Sequence, residues 1–306
     1  MKKSIKMLSI VPISLLFAII SLFDMGHINH KEKRLYIPKA ELKITEKFNG
    51  EQPPVWLEDY VIGVVASEMP ISFNMEALKA QAVASRTYGY RAYCNNKAVS
   101  FNEIGQAYTD INSLKKKWGS NFEKNYFIVK NAVTETKGEI LVYENQPILA
   151  VFSSASGGMT ESSENMWGSS LPYLKSVKSQ GDEKAEVFYG HKEISLKDAS
   201  ALLGVKSINS KNTYIISKSN AEYVSKALIG GRELSGSKIR TLLGLKSENF
   251  TMCIRDNKLV FNTKGYGHGV GMSQYGAEYM AQAGYNYKDI LTYYYSNVKI
   301  IEMGRD

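Results

Sequence analysis

The sequence predicts an α+β protein with a membrane anchor at its N-terminus. Apolar residues recur at helical spacing in the first third of the chain, whereas the alternation typical of strands dominates after Glu139. Helices that precede a strand-rich region are the pattern of the α+β class. With 306 residues, the chain is long enough for one large domain or two modest ones.

Residues 1–30 are predicted to form a cytoplasmic tip and a membrane anchor. An apolar run from Leu8 to Phe23 follows three lysines, and basic residues mark the end of a membrane helix that stays in the cytoplasm. No small-x-small cleavage motif follows Phe23, which favours an uncleaved anchor over the alternative, a cleaved signal peptide. Either way, the rest of the chain is expected outside the cytoplasmic membrane.

Three further divisions of the chain are expected. Residues 31–52 form a juxtamembrane segment and a first strand, with a strand-like pattern at Leu42–Ile44. Residues 53–300 form the main domain, in which the early helices carry the chemistry. Residues 194–263 are an insertion-like α/β subdomain within the later, β-rich part.

Two helices are predicted at the start of the main domain. Leu57–Ser67 has apolar residues at helical spacing and acidic residues in its first turn, and Pro70 discourages helix beyond it. A second, alanine-rich helix is expected at Asn74–Tyr93, with Asn74 as its N-cap. Arg86 on this helix is expected to pair with a cell-wall carboxylate, with Glu76 or with Asp110. A polar helix follows Thr109 and ends near Thr136.

Strands follow in the second half of the chain. Glu139–Tyr143 and Ile148–Ser153 alternate like the two strands of a hairpin, and the glycines after Ser156 interrupt the second. The insertion-like block contains two short helices, two strands and a closing hairpin, and a last helix is expected at Tyr287–Ser296. The elements predicted in the block are Leu196–Leu203, Tyr214–Ser217, Ala221–Lys226, Ser237–Leu243, Phe250–Ile254 and Lys258–Thr263.

The charge of the chain excludes little but argues against a nucleic-acid ligand. The net charge is +8, from 38 Lys and Arg against 30 Asp and Glu. The excess is spread out, without the dense arginine stripe that nucleic-acid binding requires. A mildly basic exported protein suits an anionic cell wall or membrane surface.

Cysteine and histidine usage gives no indication of a metal. Cys94 and Cys253 are the only cysteines and cannot form a disulfide framework; two buried thiols are expected, and whether they meet is open. The four histidines have no clustered spacing, so we expect neither a metal nor another cofactor.

The segment Gly265–Ala277, GYGHGVGMSQYGA, has glycine at every second position of its first half. Such glycines normally mark backbone that must approach something closely. The intervening polar and aromatic groups suit hydrogen bonding to a sugar or stacking on it; the alternative is a tight loop that packs a helix onto a sheet. The spacing and the missing lysine exclude a nucleotide-binding loop.

Glu68 is the candidate for acid chemistry. It ends an apolar helix just before Pro70, where both desolvation and the negative end of the helix dipole favour the protonated carboxyl. A raised pKa suits a group that donates a proton near neutral pH. The alternative is an exposed glutamate at a helix end.

A second polar segment, Phe152–Gly168, combines hydroxyl groups, two glycines and a tryptophan, which is a composition that suits carbohydrate contact. A serine nucleophile is the competing interpretation, but no GxSxG motif occurs and histidines are scarce.

Together these segments resemble the stage II sporulation protein D family, which also contains the amidase enhancers. The residues that carry the resemblance are ASEMP with the following QAVASRTY, then SASGGMTESSENMWG with PYLKSV, then GYGHGVGMSQYGA, in that order. The resemblance covers roughly residues 40–300.

This resemblance implies a lytic transglycosylase that cleaves peptidoglycan glycan strands during engulfment of the forespore. Glu68 matches the family's catalytic acid, and the preferred glycan has lost its stem peptides to an amidase. The implied partners are stage II sporulation proteins P (amidase and endopeptidase) and M (membrane protein). The implied location is the cell membrane, single-pass, with the domain extracytoplasmic on the mother-cell side of the septum.

The same resemblance supplies the expected glycan-binding residues, although the serines have the alternative of capping or turning the chain and His268 that of orienting a loop. Two other functions stay open: a hydrolase with Glu161 or Glu164 as a second carboxylate, and a non-catalytic, glycan-binding enhancer of a partner amidase. Some relatives carry a zinc cluster after the second helix, whereas the corresponding stretch here has only Cys94. The residues expected beside Glu68 are Ser153, Ser154, Gly157, Gly158, Thr160, His268, Ser273, Gln274 and Tyr275.

Overall fold

The computed structural model describes residues 43–44, 55–96 and 104–303. They form a mixture of helices and strands, which confirms the predicted α+β class. The predicted anchor at residues 1–30 lies outside the described residues. Among those described, no helix has both the length and the apolar character needed to cross a membrane.

Helices dominate the first part of the domain and return at its end. Short helices also occur within the later β-rich part. The described α-helices are Leu57–Glu68, Met75–Asn96, Ile111–Trp118, Phe122–Glu135, Ser163–Trp167, Leu196–Leu203, Gly236–Leu243, Gln274–Gln282 and Tyr287–Tyr294, with 3-10 turns at Gly119–Asn121 and Asp182–Lys184.

The strands form several small sheets. The strands are β1 (Lys43–Ile44), β2 (Val55–Trp56), β3 (Glu139–Tyr143), β4 (Gln146–Pro147), β5 (Phe152–Ser153), β6 (Tyr189–Ser195), β7 (Tyr214–Lys218), β8 (Val224–Ile229), β9 (Arg232–Ser235), β10 (Phe250–Arg255), β11 (Lys258–Lys264), β12 (Met272–Ser273) and β13 (Lys299–Glu302). One antiparallel sheet has the strand order β10, β11, β6, a second has the order β7, β8, β9, and a third has the order β13, β3, β4. Strand β5 pairs with β12 in parallel.

The first helix begins at the predicted residue and ends one residue beyond Ser67, whereas the second begins directly after Asn74 and ends at Asn96, three residues beyond the predicted Tyr93. The helix Leu57–Glu68 stops because Met69 adopts an extended conformation before Pro70. The side-chain oxygen of Asn74 accepts a hydrogen bond from the backbone N–H of Glu76 at 3.0 Å, so the N-cap of the helix Met75–Asn96 is confirmed. Glu68 is thereby left at the last position of its helix, next to a chain reversal.

The alanine-rich helix Met75–Asn96 lies at the centre of the main hydrophobic cluster. It packs against the helices Leu57–Glu68, Phe122–Glu135, Gln274–Gln282 and Tyr287–Tyr294. Its alanines at positions 77, 80, 82 and 84 have no exposed surface. Small side chains let several helices approach one axis closely, and this brings the start of the helix Gln274–Gln282 to the region of Glu68.

Arg86 is buried, and its predicted partners are wrong. Its guanidinium binds both carboxylate oxygens of Glu58, with Nε to Oε1 at 2.9 Å and Nη2 to Oε2 at 2.7 Å. Nη2 also donates to the carbonyl of Val133 and Nη1 to that of Glu139, each at 3.2 Å. Neither a wall carboxylate, Glu76 nor Asp110 is needed, because the bidentate pair already neutralises the buried charge.

The predicted hairpin after Glu139 is shorter than expected. The turn residues Glu144 and Asn145 have positive φ angles, and the returning strand β4 contains only Gln146 and Pro147. The predicted second strand, Ile148–Ser153, is therefore wrong as a hairpin partner beyond Ile148, whose N–H still donates to the carbonyl of Leu141 at 3.1 Å. Its last two residues, in β5, pair instead in parallel with Met272–Ser273.

Residues 194–263 have a hydrophobic cluster of their own. Apolar side chains from the helices Leu196–Leu203 and Gly236–Leu243 pack there against strands β8, β10 and β11. Strand β6 begins earlier, at Tyr189, and pairs with β11 along its whole length. We use the name inserted block for residues 189–264, which include this extra strand segment.

Both cysteines are free and exposed, so the expectation of two buried thiols is wrong. Cys94 lies near the C-terminal end of the helix Met75–Asn96. Cys253 lies in β10, whose burial alternates, and it faces outward.

Candidate active site

Glu68 lies at the end of its helix in a half-buried position. The backbone N–H of Ala107 donates a hydrogen bond to its Oε1 at 3.2 Å, and the Gln274 side chain donates to the carboxylate as well. Burial raises the pKa of the Glu68 carboxyl above its usual range, and these two hydrogen bonds offset only part of that effect. The carboxyl therefore holds its proton to a higher pH than an exposed glutamate.

Gln274 connects two distant segments at this point. Its Nε2 donates to Oε1 of Gln81 at 3.3 Å, and Gln81 in turn donates to Ser85 at 3.0 Å within the alanine-rich helix. Both glutamines are buried. Buried amide groups are normally hydrogen-bonded, so this series of side-chain hydrogen bonds fixes the orientation of the Gln274 amide beside Glu68.

An aromatic wall packs along the helix Leu57–Glu68. The rings of Tyr60 and Tyr108 stack with their centroids 5.6 Å apart. Gly63 makes room for this wall, since a Cβ at that position would lie 2.3 Å from the Tyr108 ring. Burial, and then the charges of neighbouring groups including Glu68, raise the pKa of the Tyr60 phenol.

Residues 153–160, here named the serine loop, are tied to the start of the helix Gln274–Gln282 by Asp182. Its carboxylate accepts hydrogen bonds from the backbone N–H of Ser156 at 2.9 Å and from the hydroxyls of Ser156 and Ser273 at 2.5 Å each. Burial raises the pKa of Asp182 to about 6 in spite of these bonds. Sequence reasoning missed Asp182, because nothing in its local pattern distinguishes it from a surface residue.

The glycine run, Gly265–Gly271, packs against the serine loop and the inserted block. Tyr266 and Ala155 exchange backbone hydrogen bonds, at 2.7 and 3.2 Å. Gly269 has a φ of +76°, and a Cβ there would lie 2.0 Å from the Tyr223 hydroxyl. That hydroxyl also accepts a hydrogen bond from the N–H of Gly157 at 3.0 Å. Tyr223, which the sequence analysis did not select, thus holds both loops from the inserted block.

His268 uses both ring nitrogens internally. Its Nδ1 accepts from the N–H of Val270 at 3.0 Å, and the ring makes a second hydrogen bond to the backbone of Phe152. Burial, together with the positive charge of Arg240, lowers the pKa of His268 to about 4. A neutral imidazole so held orients the glycine run, and the ring of Trp167 packs on it at 5.8 Å between centroids.

The other predicted glycan-binding residues divide by exposure. Thr160 and Ser273 are 1% and 0% exposed, so we correct their expected sugar contact to support of the loops. Thr160 Oγ1 accepts from the N–H of Val177 at 2.9 Å, and Ser273 Oγ caps the helix by accepting from the N–H of Gly276 at 3.2 Å. Ser153 is nearly buried in β5. The residues with surface to offer a ligand are Ser154, Gly157, Gly158 and Tyr275.

Glu161 does not have the surroundings of a second catalytic carboxylate. It is 1% exposed, and its Oε1 accepts from the N–H of Ser162 at 2.7 Å and from Asn165 at 3.0 Å. Its Oε2 accepts from the hydroxyl of Ser219. Glu164 is exposed in the helix Ser163–Trp167. Within the described residues, no group of three or more His, Cys, Asp or Glu side chains could hold a metal ion, and the expected independence from metals stays a prediction.

Comparison with known proteins gives this arrangement a family. A family model described as stage II sporulation protein matches residues 51–143. Stage II sporulation protein D of Bacillus amyloliquefaciens is 44% identical over 255 residues, which cover 80% of this chain and 74% of that protein. The chain belongs to the stage II sporulation protein D family. The member of this family from Bacillus subtilis (strain 168) is 43% identical with the same coverage.

The stage II sporulation protein D family also includes more distant relatives of this chain. An amidase enhancer of Bacillus subtilis (strain 168) is 31% identical over 288 residues, which cover 76% of this chain and 39% of the enhancer. The family resemblance that the three sequence segments indicated is therefore confirmed. Both relatives at 43% and 44% identity carry names that refer to sporulation.

Proposed function

We propose that this protein is a membrane-anchored lytic transglycosylase that cleaves peptidoglycan glycan strands, with Glu68 as its single acid and base. The observation that carries the proposal is the meeting of Glu68 with Gln274 and the N–H of Ala107 in a half-buried setting that raises the pKa of the carboxyl. A perturbed carboxyl in a recess lined by hydrogen-bonding groups is a typical catalytic setting.

The chemistry requires one carboxyl in two roles. Protonated Glu68 gives its proton to the glycosidic oxygen as the bond from that oxygen to C1 of the N-acetylmuramyl unit breaks. The resulting carboxylate then takes the proton of the C6 hydroxyl of the same unit, and the C6 oxygen bonds to C1. The product is a 1,6-anhydro end, and Glu68 is protonated again. Because the nucleophile belongs to the substrate, its effective concentration is high and no water has to be positioned.

The surroundings of Glu161 favour this reaction over hydrolysis. A glycoside hydrolase needs a second carboxylate that faces the sugar across the scissile bond. Both carboxylate oxygens of Glu161 instead accept hydrogen bonds from neighbouring residues of the same chain. Product analysis tests the choice: the full-length protein in detergent is incubated with peptide-free glycan strands, and the ends are identified by mass spectrometry. We expect 1,6-anhydro ends, whereas reducing ends would indicate a hydrolase and no new ends would contradict the proposal.

A non-catalytic enhancer is the rival function, and the family's amidase enhancer relative is the observation that favours it. Such a protein needs to bind glycan but does not need a proton-holding Glu68. Stimulation of a purified cell-wall amidase by both the wild type and Glu68→Gln, without new glycan ends from either protein, would support the rival.

The setting in the cell is part of the proposal. An uncleaved N-terminal helix would hold the domain outside the membrane, on the mother-cell side of the engulfment septum, and stage II sporulation proteins P and M would act beside it. Family membership supports this setting. Protease accessibility of the domain in intact sporulating cells and co-purification of the two partners test it.

The hydrogen bond from Gln274 predicts a specific pH effect. In Gln274→Leu the carboxylate of Glu68 loses a donor that favours its charged form, so the pKa of Glu68 rises further. The acid must be protonated for the first step, and activity is lost as pH rises through this pKa. We expect the alkaline limb of the kcat/KM profile to move up by about one pH unit, the equivalent of about 1.4 kcal/mol.

Gln282→Leu is the matched control for this effect. Gln282 lies on the same helix, but its side chain is exposed and donates to Oε1 of Glu278 at 2.7 Å. Its substitution is expected to leave the limb in place. A limb that stays unchanged or moves to lower pH in Gln274→Leu would show that Gln274 does not act on the titrating acid.

A further inference from the structure

A cavity of about 810 Å³ lies between the serine loop and the inserted block. Gly157, Gly158 and Met159 form one side, and residues of β6, β10 and β11 form the other. Glu68 does not line it. The cavity is therefore a separate recess that shares the serine loop with the candidate active site.

A line of aromatic contacts connects the two places. Phe73 follows Glu68 by five residues, and its ring meets that of Tyr275 edge-to-face, with centroids 5.1 Å apart. Tyr275 packs against the small cluster of Ala155, Ala185 and Phe188, and the Phe188 ring meets that of Tyr189 with centroids 4.8 Å apart. Tyr189 is 68% exposed and lines the cavity. Phe188 itself is buried, so packed side chains rather than a continuous exposed surface join the segment after Glu68 to the edge of the recess.

The lining of the cavity suits an acidic sugar. Tyr189 offers the face of a ring to an apolar sugar face, and the exposed Asn262 brings an amide group for hydroxyl and acetamido partners. The amide of Asn249 is buried and donates to the carbonyl of Ala221 at 3.2 Å, so it shapes the cavity wall. Lys218 is already paired with Glu222 at 3.1 Å. The ammonium group of Lys264, in contrast, makes no ion pair or hydrogen bond with any residue that the structure describes. One uncompensated cation suits a ligand with one negative charge per repeating unit.

We propose that this cavity is a second glycan-binding site, which takes a peptide-free N-acetylmuramyl unit away from the bond cleaved at Glu68 and pairs its lactyl carboxylate with Lys264. The proposal rests on the proposed function only in its choice of polymer. When a stem peptide is attached, the lactyl carboxyl is an amide and carries no charge. The site therefore selects strands from which the peptides have been removed.

The test measures binding without cleavage. Peptide-free glycan strands of at least eight sugars are titrated against the full-length protein in detergent, with Glu68→Gln in every variant so that the strands stay intact. Lys264→Gln is expected to raise Kd about fivefold, the equivalent of a partly exposed ion pair of about 1 kcal/mol. Tyr189→Ala is expected to raise Kd about threefold through the loss of its ring face.

Matched variants and ligands make the result specific. Lys238→Gln and Tyr214→Ala make the same changes at exposed positions of the inserted block outside the cavity, and we expect no change in Kd. Strands whose lactyl carboxyls have been converted to methylamides should bind with the same Kd to the Lys264→Gln variant and to the protein that keeps Lys264. Equal Kd values for the cavity variants and their controls, or a Lys264 effect that persists on methylamide strands, would overturn the proposal.

The outcome is independent of the chemistry at Glu68. If the wild type makes no anhydro ends but Lys264 still controls binding, the cleavage proposal fails and the second site stands. If cleavage occurs while Lys264→Gln and Tyr189→Ala bind like their controls, the second site alone fails.

Discussion

Glu68→Gln is expected to lower the rate of glycan cleavage by about 10²–10⁴-fold, the usual contribution of general acid and base catalysis. Glutamine keeps the shape of the side chain and can still bond to Ala107, but it has no proton of suitable acidity to give to the glycosidic oxygen. The measurement is the release of 1,6-anhydro ends from peptide-free strands at several pH values.

The melting temperature of Glu68→Gln distinguishes a catalytic role of Glu68 from a structural one. Burial raises the folded-state pKa of Glu68 above its unfolded value, so the ionised carboxyl is less favourable in the folded protein than in the unfolded chain. This cost is absent at low pH and appears as pH rises through the unfolded pKa. At neutral pH the neutral glutamine should therefore leave the melting temperature unchanged or raise it. A loss of activity together with a fall in melting temperature would instead point to a structural role.

Two further glutamates serve as comparisons for Glu68→Gln. Glu123→Gln changes an exposed glutamate in the helix Phe122–Glu135 and is expected to keep full activity. Glu164→Gln tests the hydrolase alternative, since a large loss of activity there would mean that a second carboxylate takes part.

Arg86→Met is expected to destabilise the fold by about 3–5 kcal/mol, because it leaves the Glu58 carboxylate without its buried partner. The substitution also removes donors to the carbonyls of Val133 and Glu139. For a domain of this size such a loss lowers the melting temperature by about 10 °C. Thermal unfolding followed by circular dichroism measures it.

The comparison variants separate burial from charge. Arg255→Met breaks an ion pair with Glu193 in which Arg255 is 61% exposed, and because solvent screens this pair we expect a much smaller loss of stability than in Arg86→Met. The double variant Glu58→Leu with Arg86→Met removes both charges of the pair and should be less destabilised than Arg86→Met alone. An equal loss in the Arg86 and Arg255 variants would mean that the buried pair has no special weight.

Local chemistry was enough to predict the elements around Glu68. Proline excludes helix at the preceding residue, and an asparagine caps a helix through its own side chain, so Pro70 and Asn74 placed two helix ends correctly. The hairpin after Glu139 was harder, because a turn at Glu144–Asn145 competes with one around Pro147. Alternation in Ile148–Ser153 was compatible with a strand but carried no information about its partner, which lies 120 residues away in β12.

The candidate site was predictable as three segments but not as a geometry. The position at the end of an apolar helix selected Glu68, whereas residue composition and glycine spacing selected the serine loop and the glycine run. The hydrogen bonds that join them run through Gln81, Asp182 and Tyr223, which are single polar residues in unremarkable local surroundings. Gln81 was weakly indicated by the sequence pattern, because it is a polar residue among the alanines of the buried helix face. The partner of Arg86 depended on the same long-range packing.

The two exposed cysteines allow the native chain to be labelled for fluorescence spectroscopy. Cys94 sits on the alanine-rich helix and Cys253 on the inserted block, and the sequence contains no other thiol. A thiol-reactive fluorophore pair would therefore label one position on the alanine-rich helix and one on the inserted block without any engineered substitution. Energy transfer between the two dyes would report, in real time, whether the block shifts against the helices as a glycan strand enters.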